Sequence, residues 1–144
     1  MTNIATTPTT RSLVIEREIS HAQDKIWRAL TEGTLMEAWL MKNDFQPVVG
    51  HRFKFRSTPV EGWDGVIESE VLLVEPKTRL SYSWSSLGLE SVVDWTLTPT
   101  ASGTHVRMEH SGFPAEGGDN YYKGAKYGWQ SFIGKLEHVV EGLA

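Results

Sequence analysis

The 144-residue sequence predicts an α+β fold, in which an antiparallel sheet packs against one long C-terminal helix. Two observations support this prediction. From Gly50 onward, short segments with alternating apolar and polar residues are separated by turn residues, which is typical of an antiparallel meander. After Asp119, apolar residues recur at helical spacing almost to the last residue. Because helices and strands are segregated along the chain, an alternating α/β arrangement is not expected.

The first part of the chain predicts one strand and two short helices. Residues 12–19 alternate as a strand would, and residues 1–11 are expected to form a flexible tail without the basic start and apolar centre of a signal peptide. Ser20 and Thr34 are each followed three positions later by Gln or Glu, which predicts a capping box at the start of each helix. The two helices therefore lie between the first strand and the meander.

The meander is predicted to contain five strands. They lie within residues 52–56, 66–74, 80–84, 92–97 and 104–110. Strand 66–74 can face the core in two ways, and we favour the one that leaves Glu68 and Glu70 in solvent, with a bulge between its halves. The last strand is predicted to break at residues 111–114, before the helix begins.

The terminal helix is predicted to run from Asp119 to about Gly142. Its predicted buried residues are Ala125, Trp129, Phe132, Leu136, Val139 and Leu143. Gly124 and Gly128 lie one above the other, so this face permits close approach of backbone or of a ligand. Since glycine weakens a helix, the first half of this helix is a candidate gate.

The composition argues against several functional classes. The chain has no cysteine, which excludes disulfides, thiolate metal sites and cysteine nucleophiles. Its net charge of -4 argues against a nucleic-acid partner. The longest aliphatic run, residues 71–74, is too short to span a membrane. We therefore expect a cytoplasmic protein with one domain over residues 12–144, and its histidine and glycine spacings predict neither a metal site nor a cofactor.

Strand alternation places large aromatic residues on the side of the sheet that faces the terminal helix. Buried Tyr and Trp need partners for their O–H and N–H groups, which a partly wet pocket supplies. Any one of these residues is more often part of a core, but the set as a whole predicts an internal ligand cavity. The predicted cavity residues are Trp39, Phe53, Phe55, Tyr82, Trp84, Trp95, Met108, His110, Phe113, Tyr121, Tyr122, Trp129 and Phe132.

His110 is the one histidine predicted to face this cavity, which makes it a weak candidate for a general acid–base. Its natural partners would be Tyr82, Tyr121 or Tyr122. Because a lone buried imidazole is more often a structural or ligand-orienting group, no catalytic residue is assigned.

A series of short motifs resembles a known family. Its residues are Arg17, Ile19, residues 26–31, Trp39, Gly50, Phe53, Gly65, Glu75, Pro76, Arg79, Leu80, Trp84, Trp95, Leu97, residues 110–113, Gly128 and Trp129. In their order they resemble the activator of Hsp90 ATPase homologue 1-like proteins of the START-like, or SRPBCC, superfamily. The resemblance implies a helix-grip fold, in which a curved antiparallel sheet of six or seven strands wraps around the C-terminal helix and encloses a hydrophobic cavity.

Three functions are expected from the resemblance and the residues together. The leading one is the binding of a small, largely hydrophobic ligand without catalysis. The second is an enzyme of the polyketide cyclase, aromatase or hydrolase type that uses His110 with a tyrosine or with Glu68 or Glu70. The third is a chaperone-related protein-interaction module, which would fit a role in stress response. Both a monomer and a homodimer are compatible with the predicted strand edges.

Overall fold

A seven-stranded antiparallel sheet curves around the C-terminal helix in the computed structural model, which describes residues 10–115, 117 and 119–143. The elements are β1 (Thr10–Ile19), α1 (Gln23–Thr31), α2 (Gly33–Trp39), β2 (Lys42–Asn43), β3 (Arg52–Arg56), β4 (Val66–Glu75), β5 (Arg79–Ser86), β6 (Leu89–Pro99), β7 (Thr104–Pro114) and α3 (Asp119–Glu141). The strand order is β1-β7-β6-β5-β4-β3-β2. The α+β prediction and the helix-grip fold that the resemblance implies are both confirmed.

The two outer strands differ from the sequence prediction. Thr10 and Arg11 belong to β1 rather than to a flexible tail, and the rest of that predicted tail lies outside the described residues. The short strand β2 was not predicted, because two residues are too few for an alternation to be recognised. Lys42 pairs with Arg56 and Asn43 with Phe55, so β2 covers one end of β3.

Strand β7 continues through the segment where a break was predicted. Arg11 pairs with Phe113 and Ser12 with Ser111, which leaves Gly112 as an extra residue opposite β1. Its φ of 105° is accessible to glycine, and a Cβ at this position would lie 3.0 Å from the Glu90 carbonyl oxygen. The glycine therefore forms a β-bulge within a continuous strand, and the predicted break is wrong.

Strand β4 has the orientation that the sequence favoured. Ile67, Ser69 and Val71 are buried, and Glu68 is exposed on the opposite face. The register with β5 shifts between Val71 and Leu73, which is the expected bulge. One face of β4 therefore belongs to the core and the other faces solvent, and Glu68 points away from the helix.

The predicted capping boxes are wrong. The N-cap of α1 is Ala22 and that of α2 is Glu32, and neither side chain caps its helix. The Ala22 carbonyl oxygen accepts hydrogen bonds from Lys25 and Ile26, so the first turn begins after the predicted cap, Ser20. Thr34 lies inside α2 rather than before it, because only Glu32 separates α1 from α2. The tight connection between the helices therefore accounts for the missing cap at Thr34.

Helix α3 extends close to its predicted bounds, and its buried face is rotated slightly from the prediction. Its fully buried residues are Trp129, Ile133, Leu136 and Val140. The predicted Ala125, Phe132 and Val139 are only partly buried at the edge of this face. Leu143 lies beyond the helix end and is half-buried. In the described part of the chain, no helix has both the length and the apolar character needed to cross a membrane.

The start of α3 is attached to β1. The Arg11 guanidinium lies 2.7 Å from the Asp119 carboxylate and 4.2 Å from the centre of the Tyr122 ring. The Tyr122 hydroxyl donates a hydrogen bond to the Ser12 carbonyl oxygen at 3.1 Å. These contacts hold the first turn of the helix, which is part of the predicted gate, against the sheet edge.

Candidate functional site

An apolar cleft of about 460 Å³ opens between α3 and the β4–β5 part of the sheet. The described residues that line it are Met41, Trp63, Ile67, Trp84, Ser86, Leu87, His110, Gly124, Ala125, Gly128, Trp129 and Phe132. This set contains no carboxylate, ammonium or guanidinium group. The cleft is open at one side rather than sealed, so a molecule can enter it from solvent.

A second depression, of about 560 Å³, lies on the outer face of the sheet and has a different character. Its charged residues are Asp44, Arg52, Lys54, Arg56, Glu68, Glu70 and Glu90. Cations on β3 stand opposite anions on β4, as Arg52 does opposite Glu70. Such mixed charge is typical of a solvated sheet face, so we consider the apolar cleft to be the candidate site.

Two glycines of α3 create the width of the cleft. A Cβ atom built on Gly124 would meet no heavy atom within 4 Å, and one on Gly128 would meet only Phe132 Cε2 at 4.0 Å. No neighbouring backbone approaches these glycines closely enough to require them. Their missing side chains therefore leave room beside the helix, which a ligand can occupy.

The mouth of the cleft is formed by the β3–β4 loop and by the end of β5 with the turn that follows it, and a hydrogen bond joins the loop to the strand end. Trp63 lies in the loop between β3 and β4, and its indole N–H donates to Ser86 Oγ at 2.9 Å. The Ser86 hydroxyl in turn donates a hydrogen bond to the Val66 carbonyl oxygen at 3.5 Å. Leu87 and Gly88 follow as the two-residue turn between β5 and β6, both with positive φ. The Trp63 side chain therefore contacts the end of β5, next to this turn.

The inner end of the cleft contains a chain of hydrogen bonds that crosses from α3 to three strands. The Trp129 indole N–H donates to His110 Nδ1 at 2.9 Å. His110 Nε2 lies 2.7 Å from Ser91 Oγ, which donates to the Trp84 carbonyl oxygen at 2.7 Å. Because an indole nitrogen can only donate, Nδ1 must be the unprotonated nitrogen and Nε2 carries the hydrogen. His110 therefore donates to Ser91, and both of its ring nitrogens are occupied.

His110 is held in its neutral form. It is 2% exposed, and its burial lowers the pKa of the imidazole from 6.5 to about 4. Protonation would also place a hydrogen on Nδ1, directly against the Trp129 N–H. The group acts as a structural hydrogen-bonding centre near neutral pH.

The acid–base partners that the sequence suggested for His110 are engaged elsewhere. Tyr82 accepts a hydrogen bond from the Trp95 indole at 3.1 Å, and its complete burial raises the pKa of its hydroxyl. Tyr122 donates to β1, as described above, and Glu68 faces solvent. The side chain of Tyr121 lies outside the described residues. The geometry thus links His110 to Ser91 and Trp129 instead of to a tyrosine or a glutamate.

The predicted cavity residues divide into three groups. Trp84, His110, Trp129 and Phe132 line the cleft. Phe113 packs against His110, with ring centres 4.6 Å apart, and Tyr122 packs against Phe113 at 5.3 Å, so these two lie beside the cleft. The structure places the remaining predicted residues with described side chains in a closed core; they are Trp39, Phe53, Phe55, Tyr82, Trp95 and Met108.

The closed core arises because the rings pack on one another. Trp39 meets Trp95 edge to face at 5.7 Å, and Phe55 meets Tyr82 at 5.8 Å. The Trp39 indole donates to the Ala29 carbonyl oxygen at 2.8 Å. The polar tips therefore find partners within the protein, and no wet pocket is needed to satisfy them.

Several cleft residues were not predicted from the sequence. They are Met41, Trp63, Ile67, Ser86, Leu87 and Ala125. Trp63 and Leu87 lie in loops, where strand or helix periodicity gives no information. Gly88, between two alternating segments, was an available signal for a hairpin turn. Within the described ranges, no group of three or more acidic, histidine or cysteine residues could hold a metal ion.

A curved sheet that grips a C-terminal helix, with an apolar cleft between them, is the architecture of START-like, or SRPBCC, proteins. Within that class, a model of the family described as Activator of Hsp90 ATPase homolog 1-like protein matches residues 20–141. The chain belongs to this family, as the motifs in its sequence indicated.

Solved structures support the same assignment. Protein MLL2253 from Mesorhizobium loti is 49% identical, with a TM-score of 0.85 over 93% of this chain and 99% of that one. DynU16, from the dynemicin biosynthetic locus, is 25% identical, with a TM-score of 0.75 over 94% of this chain and 48% of its own length. CalU16 from Micromonospora echinospora shares the fold at 22% identity, with a TM-score of 0.74 over 92% of this chain and 78% of its own. No curated protein matches the chain.

Proposed function

We propose that this protein binds a small, uncharged, largely hydrophobic molecule in the cleft between α3 and the sheet, without transforming it. The observation that carries the proposal is the chemistry of the cleft, whose described lining residues are apolar or neutral. Proteins of this fold often bind hydrophobic ligands, which agrees with that chemistry. A volume of about 460 Å³ lies within the range of small-molecule sites.

The polar atoms of the cleft favour an uncharged ligand. The Trp129 N–H and both His110 nitrogens are engaged in the hydrogen-bond chain, and the Trp63 N–H is bonded to Ser86. Moving a charged ligand from water into this site would cost free energy, because none of the described lining groups carries an opposite charge. Aromatic faces of Trp84, Trp129 and Phe132 instead supply contact area.

An enzymatic function is the alternative that one contact favours at first sight. Ser91 Oγ and His110 Nε2 are 2.7 Å apart, as in a serine hydrolase. The donor from Trp129 sets the opposite tautomer, so His110 donates to Ser91 and cannot take its proton. Ser91 is also buried and donates to a carbonyl oxygen. The geometry of the pair therefore supports a structural role for both side chains. The similar protein DynU16 comes from a biosynthetic locus, so a biosynthetic small molecule is one candidate ligand.

The proposal is tested by filling the cleft from the helix side. The double variant Gly124→Leu/Gly128→Leu places two aliphatic side chains in the open space, and Gly134→Leu is the matched control on the same helix outside the cleft. N-phenyl-1-naphthylamine, an uncharged fluorescent probe, is titrated into each protein while tryptophan emission is recorded. Native mass spectrometry of freshly purified protein identifies any co-purified ligand.

We expect the wild type and Gly134→Leu to bind the probe and the double variant to lose at least tenfold in affinity. Equal affinity in all three proteins would contradict binding in the cleft. The family description raises a chaperone-related role, and the same variants address it. Binding of a chaperone that is unaffected in the double variant, together with no probe binding to the wild type, would favour that role.

A further inference from the structure

The turn between β5 and β6 contains a leucine in a backbone conformation that leucine rarely adopts. Ser86 pairs with Leu89, so Leu87 and Gly88 are the two central residues of the hairpin. Their φ angles of 52° and 78° define a type I′ turn. Asn, Asp and Gly are favoured at the first position, because a branched side chain crowds the backbone at positive φ. Leu87 is thus unfavourable for the turn in which it lies.

Lys77 provides an internal comparison, because it too has a positive φ, of 68°. Its ammonium group lies 3.0 Å from the Asp24 carboxylate, and its carbonyl oxygen accepts a hydrogen bond from Gln23 at 3.0 Å. The conformation of Lys77 is therefore accompanied by contacts to α1. Leu87 is 61% exposed, so burial within the protein provides little compensation for its backbone conformation.

Leu87 lies at the mouth of the apolar cleft. The pairing of β5 with β6 places the turn there, and the hydrogen bond from Trp63 to the adjacent Ser86 adds a contact to the β3–β4 loop. A single exposed aliphatic side chain needs no explanation by itself. Its combination with an unfavourable φ at the mouth of the cleft is what a covering ligand would explain. Unfavourable local conformations persist where they serve a site.

We propose that Leu87 is a ligand-contacting residue, which covers the outer end of an uncharged ligand that projects from the cleft. This inference rests on the proposed function, since it concerns the same site. The bound molecule spans from the glycine face of α3 to the β5–β6 turn. Its outer end is apolar, because the side chain that meets it is aliphatic.

Leu87→Asn tests this inference, because Asn-Gly is a preferred type I′ pair. The substitution removes the apolar contact and at the same time relieves the turn. We expect it to raise the Tm by about 3 °C and to weaken binding of N-phenyl-1-naphthylamine about tenfold, which corresponds to about 1.4 kcal/mol. Leu72→Asn is the matched control, since Leu72 is also an exposed leucine but lies at the bulge of β4, outside the cleft. It should leave the affinity within twofold of the wild-type value.

Two outcomes separate this inference from the proposed function. If the wild type binds the probe and Leu87→Asn binds it equally well, Leu87 does not contact the ligand, and the inference is overturned while cleft binding stands. If the wild type does not bind the probe, both fail together. A loss of affinity in Leu87→Asn with an unchanged or raised Tm supports the inference, because a folding defect is then excluded.

Discussion

Acidification is expected to destabilise the fold through His110, which is buried in its neutral form. Burial lowers the pKa of this imidazole from 6.5 to about 4. Over that range the unfolded chain binds a proton and the folded protein does not, so the unfolding free energy decreases as the pH falls. Each pKa unit corresponds to about 1.4 kcal/mol, which gives about 3 kcal/mol in total. This contribution is fully present above pH 6.5 and is lost as the pH falls through about 4.

Urea unfolding at a series of pH values measures this effect. Carboxylates also titrate in this range, so the wild type is compared with His110→Gln, which has the same carboxylates and cannot be protonated at this position. The stability difference between the two proteins should shrink by about 3 kcal/mol from about pH 7 to about pH 4. His138→Gln, at an exposed site on α3, controls for the loss of a histidine as such.

Nuclear magnetic resonance of the imidazole nitrogens provides the direct check. In the folded protein, His110 should carry its hydrogen on Nε2 and should show no titration between about pH 7 and about pH 5. A midpoint near 6.5, or a hydrogen on Nδ1, would refute the assignment of the Trp129–His110–Ser91 chain. The same result would reopen an acid–base role for this histidine.

Three further predictions concern backbone and helix contacts. Gly128→Ala and Gly134→Ala should each stabilise α3 by about 1 kcal/mol and raise the Tm by about 3 °C in thermal melts. Only Gly128→Ala should reduce the affinity for the probe, because only Gly128 lines the cleft. Gly65→Ala should lower the free energy of unfolding, measured with urea, by about 3 kcal/mol, because the φ of Gly65 is +80° and a Cβ there would overlap the Ser57 carbonyl oxygen. Gly62→Ala, with φ +83° and open space, should lose only about 1 kcal/mol. Arg11→Ala should accelerate amide exchange in the first turns of α3; unchanged exchange there would mean that the attachment to β1 is unimportant.

The sheet and the burial of its strands could be predicted from the sequence because alternation reports directly on which side of a strand is covered. Phe53, Tyr82 and Trp95 are all on the covered side, as predicted. Alternation cannot show how deep a residue lies or which ring from another element reaches it. Hence these aromatic residues were predicted to line a cavity, while in the structure they fill a core.

The actual cleft depends on features that periodicity does not encode. Trp63 and Leu87 contribute from loops, whereas the helical spacing of Gly124 and Gly128 did indicate open space beside α3. The extension of β7 through Gly112 likewise depends on pairing with β1, which is distant in sequence. Long-range pairing of this kind decides whether a glycine ends a strand or bulges within it.

The separation of the aromatic core from the cleft has a consequence for how relatives of this protein can diverge. The core holds the fold together, whereas Leu87 and Gly124 shape the cleft without belonging to that core. Under the proposed function, substitutions at these positions should change which molecule the cleft accepts without weakening the scaffold. Gly124 and Gly128 are therefore natural starting points for engineering the shape of the cleft.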